Sequence, residues 1–215
     1  MAGSVPALTQ LFAGWARHYR TAIVPGSLRE PAKGGRFYNT AIAFSADGKE
    51  LARYRKIHLF QATLPDRKYR EADYAAAGKE LCVFDCKGFR IGLAICYDLR
   101  FPELFRGLRG QGAQAVLLPS AFTVPTGKAH WESLLRARAI ENQIYLAAPA
   151  LTGTSGNGAK TYGHSLAIDS WGKILRQLRR EPGLVSFELS KAEIQGCASK
   201  VDSWASRRRD LFPLD

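Results

Sequence analysis

Gly88-Phe-Arg-Ile-Gly-Leu-Ala-Ile-Cys-Tyr-Asp-Leu-Arg-Phe-Pro-Glu-Leu104 is the stretch of this 215-residue chain whose pattern decides the fold. Phe89, Ile91, Leu93 and Ile95 alternate with Arg90, Gly92, Ala94 and Cys96. A period of two predicts a strand with one bulky face and one small face leading up to the cysteine. Pro102 suits a first helical position and Glu103 complements its positive end, so a helix is expected from Pro102 to Gly110. Cys96 therefore falls at a strand's C-terminal end, just before a turn into a helix. There, free backbone N–H groups can hold an oxyanion and a nearby cation can stabilise a thiolate. Taken alone, the segment is explained more simply by a buried strand cysteine.

The same punctuation recurs on both sides. Upstream, Leu8, Leu11, Phe12, Trp15 and Ala16 have helical spacing, predicting an amphipathic helix over Leu8–Tyr19. A strand is expected over Thr21–Leu28. A hairpin of Phe37–Phe44 with Lys49–Tyr54 is expected around Asp47-Gly48. His58–Ala77, with Pro65 and many charges, reads as one long functional loop. Leu81–Asp85 pairs with the strand reaching Cys96 around Lys87-Gly88. Downstream come a strand at Ala115–Pro119, a helix at Trp131–Asn142 and a strand at Ile144–Ala150. A hairpin of Ser165–Ile168 with Lys173–Gln177, a strand at Leu184–Leu189 and a short polar helix follow. Hairpins mixed with strand–helix–strand units make an α/β protein of mixed sheets, each covered by helices on its outer face. No linker divides the chain, so residues 1–215 are expected to form one domain.

Bulk composition excludes several classes. No apolar run approaches the roughly 20 residues of a membrane span, and no basic segment leads into an apolar one at the start. A cytoplasmic enzyme is the expectation. The net charge of +12 comes from scattered residues, with one dense run at Arg207-Arg208-Arg209. Without a basic helix interleaved with stacking aromatics, it fits a field for anionic substrates better than nucleic acid. Cys82 and Cys86 lack a second Cys/His pair, so no zinc site is expected.

Cys96-Tyr-Asp-Leu-Arg-Phe-Pro-Glu103 resembles the nucleophile segment of the nitrilase superfamily, the carbon–nitrogen hydrolases. Tyr54-Arg-Lys-Ile-His-Leu-Phe60 resembles that family's lysine segment. Gly26-Ser27, Tyr38-Asn39-Thr40, Gly78, Pro119–Phe122, His130-Trp131, Arg136–Gln143 and Gly163-His164-Ser165 follow the family's order. The resemblance covers essentially the whole chain. It implies an α-β-β-α four-layer sandwich with two mixed sheets, an amidase activity and a homodimer. Cys96 would attack an amide or nitrile carbon and pass through a thioester. Lys56 and the Tyr97 N–H would hold the oxyanion, Lys56 favouring the thiolate. Glu71 would orient Lys56 or the substrate. Chemistry run by a thiol, an amine and a carboxylate implies no metal or organic cofactor. Arg100 joins Asp98 and Glu103 in an expected ion-pair network around the nucleophile turn and, with Tyr97, is a candidate substrate contact. Phe122, Thr126, His130 and Trp131 are candidate pocket residues, packing being an equal alternative for Trp131.

The family's catalytic triad is Glu–Lys–Cys, with its glutamate in an initial strand–helix–strand unit. The chain is expected to lack that first βαβ unit, because Met1 falls just before the helix that follows it. Glu30 sits after the Thr21–Leu28 strand and does not match the triad position; Glu71 is the conceivable replacement base. Ser120–Glu132 and Arg207–Asp210 look closest to the omega-amidase and deaminated-glutathione amidase branch. Carbamoyl-cleaving enzymes and true nitrilases are further candidates. The alternative is a catalytically impaired relative that serves as a binding partner or remnant.

Overall fold

The computed structural model describes residues 5–64, 67–155 and 158–212; Pro65 of the predicted loop lies outside them. The chain opens with helix α1 (Val5–Tyr19), which begins ahead of the predicted Leu8. Strands β1 (Ser27–Pro31), β2 (Phe37–Phe44) and β3 (Glu50–Arg55) follow as an antiparallel sheet in that order. β4 (Gln61–Thr63) and β5 (Lys68–Arg70) make a small hairpin, and β6 (Ala75–Ala76) pairs parallel to the start of β2. β7 (Val83–Cys86) and β8 (Phe89–Leu93) lead into a 3-10 turn at Cys96–Arg100 and helix α2 (Pro102–Gly110). Then come β9 (Ala115–Leu117), α3 (Val124–Asn142) and β10 (Tyr145–Ala148). The hairpin of β11 (Thr152–Thr154) and β12 (Lys160–Tyr162) precedes β13 (Leu166–Ile168), β14 (Ile174–Gln177) and α4 (Lys191–Lys200).

The second sheet runs β14-β13-β10-β9-β8-β7, parallel through β8, β9 and β10 and antiparallel at both ends. Helix α1 covers the first sheet by packing Ala13 and Ala16 on Ile42 and Phe44. Helices α2 and α3 cover the second with Leu104, Phe105, Leu108, Leu135 and Ala139 against Val116, Leu146 and Ile168. Between the sheets, Ala41, Ala43 and Tyr54 meet Leu93 and Ile95. The result is the expected four-layer α-β-β-α sandwich with two mixed sheets. Among the described residues no helix is long and apolar enough to cross a membrane.

Four expectations change. Thr21–Leu28 is not a strand: only Ile23 bridges to Phe44, and continuous pairing starts at Ser27. Pro25 has no N–H to give and Gly26 has φ +103°, so the segment turns before it can pair. Leu184–Leu189 forms no strand either, although Val185, Phe187 and Leu189 are half-buried and the residues between them exposed. Alternation reports one-sided burial against the sheet, and here no neighbouring strand supplies a hydrogen-bond ladder. The supposed loop His58–Ala77 holds three strands too short to show a period, β4, β5 and β6. Finally, α3 starts at Val124 and not Trp131, with Pro125 in its first turn.

Candidate active site

Strand β8 ends at Leu93, so Cys96 opens the 3-10 turn and is not the last strand residue. Its backbone is in the left-handed region, φ +49°, a conformation costing a non-glycine residue roughly 1–2 kcal/mol. The turn is held from every side. Cys96 N–H donates to Pro119 O at 3.1 Å, and Ala94 N–H to Leu117 O at 3.1 Å, tying the turn to the end of β9. Asp98, 0 % exposed, accepts from Ile95 N–H at 2.9 Å, Tyr54 Oη–H at 2.7 Å and His58 N–H at 3.1 Å. His58 Nδ1 lies 2.8 Å from the same carboxylate. Arg138 of α3 donates its Nε–H to Leu99 O at 3.0 Å. One carboxylate and one guanidinium thus fix the turn that presents the thiol.

The predicted network of Asp98, Arg100 and Glu103 does not form. Asp98 turns inward to His58 and Tyr54, Glu103 is exposed at the start of α2, and Arg100 turns toward α3. The Arg100 guanidinium lies 5.8 Å from the Tyr97 ring and 5.6 Å from the Phe122 ring, with Nη1 3.3 Å from His130 Nδ1.

Lys56 follows β3 directly. Its N–H donates to Asn39 O and its carbonyl accepts from Gly78 N–H, both at 2.8 Å. A Cβ on Gly78 would sit 2.0 Å from Arg55 O, so only glycine lets the segment after β6 pass so near the lysine. Lys56 is 2 % and Glu71 7 % exposed, and the ammonium donates to Glu71 Oε2. Glu71 stands in the 3-10 turn after β5. It is pinned by its own N–H to Phe60 O at 2.9 Å and by Phe60 N–H to its Oε2 at 2.6 Å. Asn39 Nδ2–H reaches Oε1 at 3.4 Å.

Cys96, Lys56, Glu71, Tyr97, Arg100, Phe122 and Thr126 line one open cavity of ≈ 820 Å³. His130 and Trp131 do not line it. His130 is exposed, whereas Trp131 is buried in the core, with its Nε1–H on His164 O at 2.7 Å and its ring 4.7 Å from Phe122. Three features were not read from the sequence. The Ala121 backbone N–H acts on the Cys96 thiol, Asn39 supports Glu71, and Glu181 supplies a second cavity carboxylate. Asn39 sat within a quoted motif, but a backbone N–H has no sequence signature and Glu181 lies in a loop without pattern.

The thiol's electrostatics depart from expectation. Burial pushes Cys96 above its ordinary value; Lys56 and then the Ala121 N–H pull it down, and Glu71 and Asp98 push it further up. The lysine therefore moderates the thiol without making it a resting thiolate. The Tyr97 N–H has no hydrogen-bond partner among the described residues and stands one residue from the sulfur. The arrangement can add a sulfur nucleophile to a carbonyl carbon, hold the resulting oxyanion and exchange protons with a carboxylate. Among the described residues no group of three His, Cys, Asp or Glu side chains could hold a metal ion.

Comparisons with known proteins agree with this chemistry. The carbon-nitrogen hydrolase family profile matches residues 4–199. Deaminated glutathione amidase from Synechocystis sp. is 42% identical over 197 residues, covering 89% of this chain and 72% of that protein. The Caenorhabditis elegans NitFhit crystal structure superposes with TM-score 0.86 at 37% identity, covering 96% of this chain and 51% of that one. A mutant of the amidase from Nesterenkonia sp. AN1 superposes with TM-score 0.81 at 31% identity, covering 97% of this chain and 72% of that one. It carries the acetamide moiety of fluoroacetamide covalently at its active-site cysteine. The chain thus spans between about half and three quarters of the length of these relatives. With the sandwich, the cysteine turn, the lysine segment and a match over residues 4–199 in agreement, the chain belongs to the carbon-nitrogen hydrolase family, among relatives that are amidases, one of them with an active-site cysteine.

Proposed function

We propose that this chain hydrolyses a small, carboxylate-bearing linear amide to the acid and ammonia through a thioester on Cys96. The observation that carries the reading is the meeting of Cys96 with the buried Lys56–Glu71 pair in one cavity. In the first step the Cys96 sulfur bonds to the amide carbon as the thiol proton passes to Glu71, whose Oε1 is its less engaged oxygen. The carbonyl electrons move onto oxygen, stabilised by Lys56 and the Tyr97 N–H. Collapse breaks the C–N bond, and the nitrogen leaves as ammonia with the proton that Glu71 held. Water then adds to the thioester, giving its proton to the same carboxylate. The C–S bond breaks and the thiol recovers its proton.

Arg100 supports the anionic substrate. Its guanidinium is wedged at the cavity between two aromatic rings and pairs with no carboxylate among the described residues, so a substrate carboxylate can complete it. Thr126 adds a hydroxyl to the cavity lining. The deaminated glutathione amidase relative supports this class by its name. A homodimer is the assembly that the family resemblance supports, measurable by sedimentation velocity.

The deciding experiment measures ammonia release by the purified chain on 2-oxo acid amides, deaminated glutathione and N-carbamoyl amines, beside Cys96→Ala. Turnover that the variant loses by at least ~10³-fold is expected. Folded protein without turnover on any substrate leaves the impaired-relative reading in its place.

A further inference from the structure

Away from the cavity, a dense group of cations gathers where α2 meets the C-terminal tail. Arg106 and Arg109 belong to α2; Arg207 and Arg209 belong to the tail. Trp204 packs against two of them, with the Arg109 Cζ 5.2 Å and the Arg207 Cζ 3.2 Å from its ring centroid. Arg207 Nε–H donates to Trp204 O at 2.9 Å.

The acids nearby do not complete the group. Arg106 takes the Glu141 carbonyl at 2.8 Å and lies 3.9 Å from its carboxylate. Arg208 turns aside to Asp210. Asp202 attracts Arg109 only through space, and its carboxylate accepts from Ala205 N–H at 3.0 Å. Arg109, Arg207 and Arg209 have no ion-pair partner among the described residues. Two of their nitrogens, Arg109 Nε and Arg207 Nη2, are buried with no hydrogen-bond acceptor. A guanidinium N–H buried without an acceptor is costly, and neighbouring like charges add to that cost. Burial and the three surrounding arginines all push the Arg207 guanidinium below its ordinary value.

We propose that Arg109, Arg207 and Arg209, backed by Arg106 and walled by Trp204, form a binding site for a phosphate group. A tetrahedral dianion offers several acceptor oxygens to forked donors and offsets more than one positive charge at once. A single carboxylate would leave most of the group unneutralised. The site is separate from the cavity of Cys96: none of these residues lines it. Its ligand is inorganic phosphate or the phosphate of a small metabolite.

The experiment titrates inorganic phosphate into the full chain at constant ionic strength, following heat and tryptophan emission, with chloride as control. Saturable binding is expected, with an emission change absent in Trp204→Phe. Arg109→Gln with Arg207→Gln should weaken binding at least about tenfold, and Arg208→Gln, whose side chain is already paired, should not. Arg209→Gln is exposed and serves as the second variant should the double one unfold; it too should weaken binding. Phosphorylated metabolites binding tighter than inorganic phosphate would name the source without changing the site. A response equal to that of chloride overturns the proposal. So does phosphate binding unchanged in Arg209→Gln and the folded double variant. Absence of phosphate binding, with a dimer that Arg209→Gln weakens in sedimentation velocity, assigns the arginines to carboxylates of a second copy and likewise overturns it.

Discussion

Burial lifts the Cys96 thiol above its ordinary value of 9.0, Lys56 pulls it back, and Glu71 pushes with the burial. These opposed signs give a prediction that separates the two partners of the buried pair. Alkylation of Cys96 by iodoacetamide, followed by peptide mapping, should be slow at neutral pH and still rising beyond pH 9.0. Lys56→Met should move that rise to higher pH, and Glu71→Gln should move it to lower pH. In turnover the lysine variant should lose about 10²–10³-fold, as expected when an oxyanion donor is removed. If both substitutions shift the thiol the same way, the pair does not act on it as charges. Asp98 makes a second prediction at this scale. Its buried carboxylate accepts from two backbone N–H groups and the Tyr54 hydroxyl, so Asp98→Ala strands three donors. A loss of about 3–5 kcal/mol in urea unfolding is expected, and Tyr54→Phe should cost less because it removes one donor to Asp98 and strands only the Ile57 N–H.

Elements that carry their own signal were legible in the sequence, and elements that borrow their order from neighbours were not. The hairpins at Asp47-Gly48 and Lys87-Gly88, helix α2 after Pro102, and the strand before Cys96 each rest on local turn or capping chemistry. The hairpins and α2 stand where the pattern puts them, and the strand starts where it should but stops at Leu93, short of Cys96. Leu184–Leu189 kept the alternation and lost the strand, since a ladder needs a partner that no local pattern specifies. Lys56, Glu71 and Cys96 lie on separate segments, just after β3, in the turn after β5 and in the turn after β8, and only the resemblance of those segments to one family's motifs joins them. Spacing alone would not have joined them. Gly78 shows how an element can serve the site at a distance. Gly78→Ala puts a methyl on the Arg55 carbonyl, a backbone atom that cannot swing aside, so the end of β3 must shift. About 2–3 kcal/mol of stability should go, and kcat should fall with it because Lys56 is the next residue. Unchanged kcat with lowered stability would disconnect the glycine from the lysine. The β1–β3 edge gives a pH test. Glu30 accepts from Arg55 and Thr40, which hold its carboxyl below the ordinary 4.5. A folded value below the unfolded one stabilises above pH 4.5, and that stabilisation fades as pH falls through the folded value. Glu30→Gln should therefore cost about 1 kcal/mol at neutral pH, the gap closing on acidification.

Across the whole molecule, 31 Lys and Arg face 19 Asp and Glu, and the excess is not gathered at the cavity, where Lys56, Arg100 and Arg179 stand beside Glu71 and Glu181. On the proposed mechanism such a field does nothing for the chemical step, which Cys96 and Lys56 would govern at short range. It raises the local concentration of an anion before the anion touches Arg100. Screening separates the two effects. Between about 0.01 M and 0.15 M salt the Debye length falls from about 30 Å to about 8 Å, which removes the distant surface charges and leaves the cavity contacts. For a carboxylate-bearing amide, kcat/KM should drop roughly threefold to tenfold over that range while kcat holds steady. A neutral amide of similar size should show no slope. Chloride salts are required for the series, because a phosphate buffer would load the tail arginines and change the field it is meant to screen. Equal slopes for the two substrates would mean that salt perturbs the fold or the site itself, and the basic surface would then have no part in choosing the substrate. A slope confined to the anion, and lost in Arg100→Gln only through KM, would divide the work between a field that gathers the substrate and a guanidinium that receives it.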